Sequence, residues 1–132
     1  MEHTICYISK QSEALIDSEL ESLFGYIVSM NSTLQISGAL LPNEGLFLQV
    51  LEGDKLRIDE LFSKIRKDKR HKNILMVLDQ KIENRIFQNY EANFNILKTK
   101  DDIKRLNTYL SKYSFKNKYS KNIQTLMEPF LL

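Results

Sequence analysis

The stretch Ile36-Ser37-Gly38-Ala39-Leu40-Leu41, Pro42-Asn43-Glu44-Gly45, Leu46-Phe47-Leu48-Gln49-Val50-Leu51 sets two apolar runs about a turn-forming tetrapeptide. That pattern predicts a β-hairpin. The second run is apolar at consecutive rather than alternate positions, as in a strand buried on both faces. Gln49 alone interrupts it.

Working outward, each side of the hairpin carries a helical pattern. Upstream, residues 18–31 place Leu20, Leu23, Phe24, Ile27 and Val28 on one stripe, and Ser18 with Glu21 suggests a capping box. Downstream, Gly53-Asp54 opens a second helix to about Lys67, with Ile58, Leu61, Phe62 and Ile65 on its apolar face. Residues 3–9, 73–82 and 85–94 have the composition of strands. The order β-α-β-β-α-β-β predicts an α+β, ferredoxin-like core with an added strand and two helices on one sheet face. The strand order stays open.

After residue 98 the pattern changes. Thr99 and Asp102 form a second capping signal, and Ile103, Leu106, Leu110 and Tyr113 share a helical face. A last short helix near 121–128 is expected to end at Pro129. The expected organisation is a sensor-sized domain over 1–97 and a helical extension over 98–132. The extension is expected on the sheet face that the first two helices leave open, because a single-layer sheet cannot leave an apolar face in water.

The 132 residues suit one core, and a hydrophobic fraction of 42% is ordinary for a globular chain. The 19 basic and 17 acidic residues nearly cancel, which argues against nucleic acid as the partner. A single cysteine, Cys6, excludes a disulfide framework and a Cys-cluster zinc site, and only His3 and His71 remain as histidine ligands. No apolar run approaches the roughly 20 residues of a membrane-spanning helix. The start, Met1-Glu2-His3-Thr4, lacks a basic region before an apolar stretch. A cytoplasmic protein without metal is therefore the expectation.

Polar residues at core-facing positions are the functional signal. Asn31 continues the stripe of Leu20, Phe24 and Ile27, and Asp68 continues that of Leu61 and Ile65. Both would line one mouth of the groove between the helices. A buried Gln49 without partners would cost on the order of 1–3 kcal/mol, so it needs a hydrogen bond. Tyr7 in the first strand could offer its hydroxyl, and a planar ligand with a polar edge could offer the rest. Structural readings stand beside these. Asn31 could be a helix C-cap. Asp68 could pair with Arg66, Lys69 or Arg70, Gln49 could bond a backbone group, and Tyr7 could be core.

Four segments in register resemble the BLUF family, sensors of blue light that use FAD. Gly45-Leu-Phe-Leu-Gln-Val-Leu-Glu-Gly53 resembles its glutamine-bearing strand, and Asp68-Lys-Arg-His71 its D-x-R-H. Ile36-Ser-Gly-Ala-Leu-Leu41 resembles its hairpin strand, with Asn31 at the asparagine position upstream, and Arg85-x-Phe87 its R-x-F. The resemblance covers residues 3 to about 95. It implies FAD held noncovalently between the two helices, with FMN equally compatible with the ring contacts. Tyr7 would bond Gln49, Gln49 and Asn31 would meet the ring edge, and Lys64 and Asp68 would face its other polar parts. Light would move an electron and then a proton from Tyr7, and their return would leave Gln49 in a rearranged hydrogen-bonding state. No substrate would be turned over.

Two positions depart from the family. Its last strand usually carries W-x-M, where this chain has Tyr90 and Ala92. These are the candidate signal-transmission positions, and Tyr90 is also a candidate second electron donor. The chain resembles the short, stand-alone members, so its output is expected in a partner protein in trans, with self-association a further expectation. The rival reading is a light-insensitive flavin-binding or protein-interaction module. A small hydrolase of the acylphosphatase kind is disfavoured, because Ser9-Lys-Gln-Ser12 supplies neither the Gly nor the Arg of a phosphate cradle.

Overall fold

A computed structural model describes residues 1–112 and 117–131. The chain divides into two compact units, Met1–Ile96 and Leu97–Leu132. The first unit contains β1 (Glu2–Gln11), α1 (Asp17–Thr33), β2 (Ser37–Asn43), β3 (Leu46–Asp54), α2 (Lys55–Lys67), β4 (His71–Lys81) and β5 (Phe94–Ile96).

The hairpin forms where its pattern predicts. Glu44 and Gly45 turn with φ of 49° and 81°, so the chain reverses through two left-handed residues. The sheet order is β4-β1-β3-β2-β5, with β5 running parallel to β2. The first four strands in that order are the ferredoxin-like arrangement, and the fold is α+β.

Register then decides what each face carries. On one face lie Tyr7 of β1, Gln49 of β3 and Leu40 of β2, in one row across three strands. Ile5, Phe47 and Leu51 extend this face, and Leu23, Phe24, Ile58, Leu61 and Phe62 of the two helices pack with it in one apolar cluster. The other face presents Cys6, Val50, Ala39, Leu48 and Leu41.

Three local expectations are corrected. The first helix begins at Asp17, one residue early, and Glu19 rather than Glu21 reaches back, accepting from the Ile16 backbone N–H at 3.2 Å. Residues 85–94 are not a strand. Only Phe94–Ile96 pairs, because the Ile86 and Phe87 N–H groups donate to the Glu52 carboxylate and Glu91 and Asn93 take positive φ. The last helix begins at Lys118, three residues early, and its α-helical part stops at Met127 as expected before Pro129, which sits in a 3₁₀ turn, Glu128–Leu131.

The second unit contains α3 (Lys100–Ser111) and α4 (Lys118–Met127). The Thr99–Asp102 capping box forms, with the Thr99 hydroxyl accepting from the Asp102 N–H at 3.1 Å. Ile103, Leu106 and Leu110 are buried as their spacing predicts. Tyr113, expected on the same face, lies outside the described residues. Within this unit Ser120 Oγ donates to the Leu110 carbonyl at 3.0 Å, and Gln124 Nε2 donates to Asn107 Oδ1 at 3.1 Å.

Candidate functional site

A cavity of about 110 Å³ opens between α1, α2 and the sheet. Tyr7, Leu40, Phe47 and Gln49 form its floor. Helix α1 contributes Leu23, Tyr26, Ile27, Met30 and Asn31, and α2 contributes Leu61, Lys64 and Ile65. The turn into β4 supplies Asp68, Arg70 and His71. Five residues singled out in the sequence, Tyr7, Asn31, Gln49, Lys64 and Asp68, thus share one cavity. Tyr90 and Ala92 do not line it. Tyr90 is buried in the segment between β4 and β5, and Ala92 lines a second cavity of about 380 Å³ with Arg85 and Asn93.

The floor is polar at one point only. Tyr7 and Gln49 are direct register partners, so their side chains meet on the same face, and Gln49 Nε2 donates a hydrogen bond to Tyr7 Oη. Both residues are buried. Two buried polar atoms among the described residues have no partner, and both belong here: Gln49 Oε1 and Asn31 Nδ2. Asn31 is not a C-cap. The helix runs two residues beyond it and is capped by Leu34, so the Asn31 side chain stays on the inward stripe.

The rim holds the charges. Asp68 caps α2, and its carboxylate accepts from Arg70 Nε at 2.9 Å and Nη2 at 2.6 Å. These bonds hold the Asp68 carboxyl below the usual range and raise the Arg70 guanidinium. The Arg70 guanidinium also lies 5.6 Å from the Tyr26 ring centre. His71 bridges two elements. Nε2 faces the Ile65 carbonyl at 2.7 Å and must donate to it, which leaves Nδ1 facing the Ser9 hydroxyl at 2.8 Å. His71 therefore locks the end of α2 onto β1 beside the cavity.

Sequence reasoning missed Arg70 and Tyr26 as lining residues. Arg70 stood in the quoted D-K-R-H run. Tyr26 carried no signal, since it lies off the apolar stripe of its helix. Among the described residues no group of three or more His, Cys, Asp or Glu could hold a metal, and no helix is long and apolar enough to cross a membrane.

Burial raises the Tyr7 phenol well above its ordinary range, against a lowering by the Gln49 hydrogen bond. Desolvation likewise pushes the Cys6 thiol from 9.0 up to about 12. Both groups keep their protons in the folded state where the unfolded chain has lost them. The Cys6 contribution is complete below pH 9 and is lost as pH rises through the window from 9 to about 12, a loss that Tyr7 joins only above its ordinary value of 10.0. The unfolding free energy should therefore fall by about 1.4 kcal/mol per pH unit per group inside that window. Urea titrations at about pH 8 and about pH 10.5 test this, with Cys6→Ala expected to flatten the slope. An unchanged midpoint in the wild type would contradict it.

The model of the BLUF family, described as sensors of blue-light using FAD, matches residues 3–93. The chain belongs to the BLUF family. BLUF domains are flavin-binding blue-light sensor modules that act in signal transduction, and they are not catalytic in themselves. The α subunit of photoactivated adenylate cyclase from Euglena gracilis is 37% identical over 84 residues, which are 64% of this chain and 8% of that protein. The chain thus spans under a tenth of the length of this curated relative. Among solved structures, Klebsiella pneumoniae BlrP1 with FMN and cyclic diGMP superposes with a TM-score of 0.65 at 32% identity, covering 74% of this chain and 26% of that one. BlsA in its photo-activated state superposes with a TM-score of 0.72 at 25% identity, covering 94% of this chain and 91% of that one. A flavin is the ligand class these BLUF relatives support.

Proposed function

We propose that the cavity holds the ring of FAD, and that Tyr7 and Gln49 form a blue-light-driven hydrogen-bond switch read by a partner protein. One observation carries this reading: an unpaired buried acceptor, Gln49 Oε1, and an unpaired buried donor, Asn31 Nδ2, line one largely apolar cavity. Each such atom costs on the order of 1–3 kcal/mol, so the site is built for a ligand that supplies both complements. A bound flavin supplies a planar edge with carbonyl acceptors and an N–H donor, and a ring that on blue-light excitation takes up and then returns an electron and a proton.

The protein's own part is to bind, orient and relay. Apolar side chains from both helices clamp the ring faces and exclude water. Asn31 donates to a carbonyl of the edge, while Lys64, Asp68 and Arg70 meet the polar remainder. Tyr7 is the source of the electron and of the proton at Oη. The Gln49 carboxamide lies on the proton's path, and once both are returned to Tyr7 it has exchanged partners. The output passes through the helical unit Leu97–Leu132, whose surface includes Lys100, Lys104, Lys118 and Lys121, to a cytoplasmic partner in trans.

Chromatography of the pigment released by denaturing purified protein tests the ligand. FAD in stoichiometric amount is expected, FMN would replace the cofactor assignment, and no flavin after reconstitution with FAD would refute the site. Asn31→Ala should weaken flavin binding about tenfold, the effect of one lost hydrogen bond at ~1.4 kcal/mol, as followed by fluorescence quenching. Wild-type affinity in this variant would remove Asn31 from the site. Tyr90 and Ala92, in place of the family's Trp and Met, favour one alternative, a light-insensitive flavin-binding module. A bound flavin whose spectrum ignores light would select it.

A further inference from the structure

On the sheet face opposite the cavity, one buried row across the three central strands is polar. Across β1, β3 and β2 the rows are Ile8–Leu48–Leu41, then Cys6–Val50–Ala39, then Thr4–Glu52–Ser37. All three residues of the last row are buried, and Glu52 is 0% exposed. Burying a carboxylate is expensive unless hydrogen bonds hold it. Here Ser37 Oγ donates to Oε1 at 2.9 Å, the Ile86 N–H to Oε2 at 2.8 Å and the Phe87 N–H to Oε1 at 2.9 Å.

The two backbone donors belong to the segment between β4 and β5. From Phe87 the segment continues through a relay of its own: the Tyr90 N–H donates to the Phe87 carbonyl, the Asn93 N–H to the Tyr90 carbonyl, and the Gly38 N–H of β2 to the Asn93 carbonyl. Tyr90 and Ala92, the two departures from the family pattern, both lie inside this relay. Neither lines the cavity that holds Gln49. Glu52 and Gln49 share β3, on opposite faces and about 10 Å apart along the strand.

We propose that Glu52 is the positioning residue that couples Gln49 to the segment 85–93. It clasps two consecutive amides of that segment to the strand whose other face carries the switch, so a change in the seating of β3 at Gln49 is passed to the segment through the carboxylate. This inference rests on the proposed switch for its use. Its geometry, a side-chain carboxyl clasp between one strand and one loop, does not depend on light.

A double-mutant cycle read by amide hydrogen exchange at Ile86 and Phe87 tests the coupling in flavin-reconstituted protein kept in the dark. Glu52→Gln keeps the size of the side chain but turns one acceptor into a donor facing an N–H, and exchange at both amides should rise at least tenfold. Gln49→Leu should change exchange at these amides threefold or more with Glu52 present and leave it unchanged beside Glu52→Gln. Equal effects of Gln49→Leu in both backgrounds, or no effect with Glu52 present, would overturn the proposal. If Glu52→Gln does not fold, Ser37→Ala removes the Ser37 bond to the carboxylate and should lower the same coupling. Because every sample is dark, failure of the cycle speaks against the clasp, whereas failure of the photosensor reading appears only in the light-minus-dark spectrum.

Discussion

Gln49→Leu is expected to abolish the light-induced spectral shift while leaving a folded, flavin-binding protein. The carboxamide is the group on the cavity floor that touches Tyr7 and still has a free acceptor, so its removal breaks the path at both ends. Leucine fills a similar volume, and the surrounding floor of Leu40 and Phe47 accepts it. Tyr7→Phe should silence the shift as well, because it removes the hydroxyl that the carboxamide contacts. The flavin-free protein adds a check of opposite sign. Replacing both partners together removes a buried unpaired acceptor, so Gln49→Leu with Tyr7→Phe should stabilise the empty protein by about 1 kcal/mol. Most core substitutions destabilise, so a gain is diagnostic. A persistent shift in Gln49→Leu would show that the switch lies elsewhere.

Gly38→Ala should cost on the order of 4 kcal/mol or more and leave little folded protein. A Cβ at Gly38 would stand 1.9 Å from the Val50 carbonyl oxygen, and the backbone there has φ of +148°. The clashing atom is main chain of the neighbouring central strand, so relief requires breaking the β2–β3 ladder next to Gln49. Gly38 also donates to Asn93, so the segment before β5 would be lost with it. Gly25 is the control. It lies on exposed α1 surface with nothing within 4 Å of an added Cβ, so Gly25→Ala should stabilise by about 0.5–1 kcal/mol. Urea titration of the two variants separates these outcomes, and a loss below about 1 kcal/mol in Gly38→Ala would contradict the packing argument.

The regular elements were legible because their cause is periodicity. The stripes of α1 and α2, the continuous apolar run of β3 and the turn at Glu44-Gly45 each declare a local geometry in local residues. Asn31 and Gln49 were legible for the converse reason, as polar groups where the period demands apolar ones. What escaped was set by distant partners. Residues 85–94 have strand composition, but the amides of Ile86 and Phe87 are taken by a carboxylate 34 and 35 residues away, so no ladder forms over them. The start of α1 escaped because Glu19, not Glu21, reaches back to an amide, that of Ile16, which places the cap upstream of Ser18. Tyr26 lines the cavity and approaches Arg70, a contact between two elements that no window of sequence contains.

The light-minus-dark absorption spectrum of the purified, flavin-loaded protein tests the central claim most directly. The account predicts a flavin spectrum that moves slightly to the red under blue light, returns in the dark, and shows neither change in Gln49→Leu. A flavin spectrum identical in light and dark would contradict it, leaving a flavin-binding module whose Tyr7–Gln49 pair does not switch.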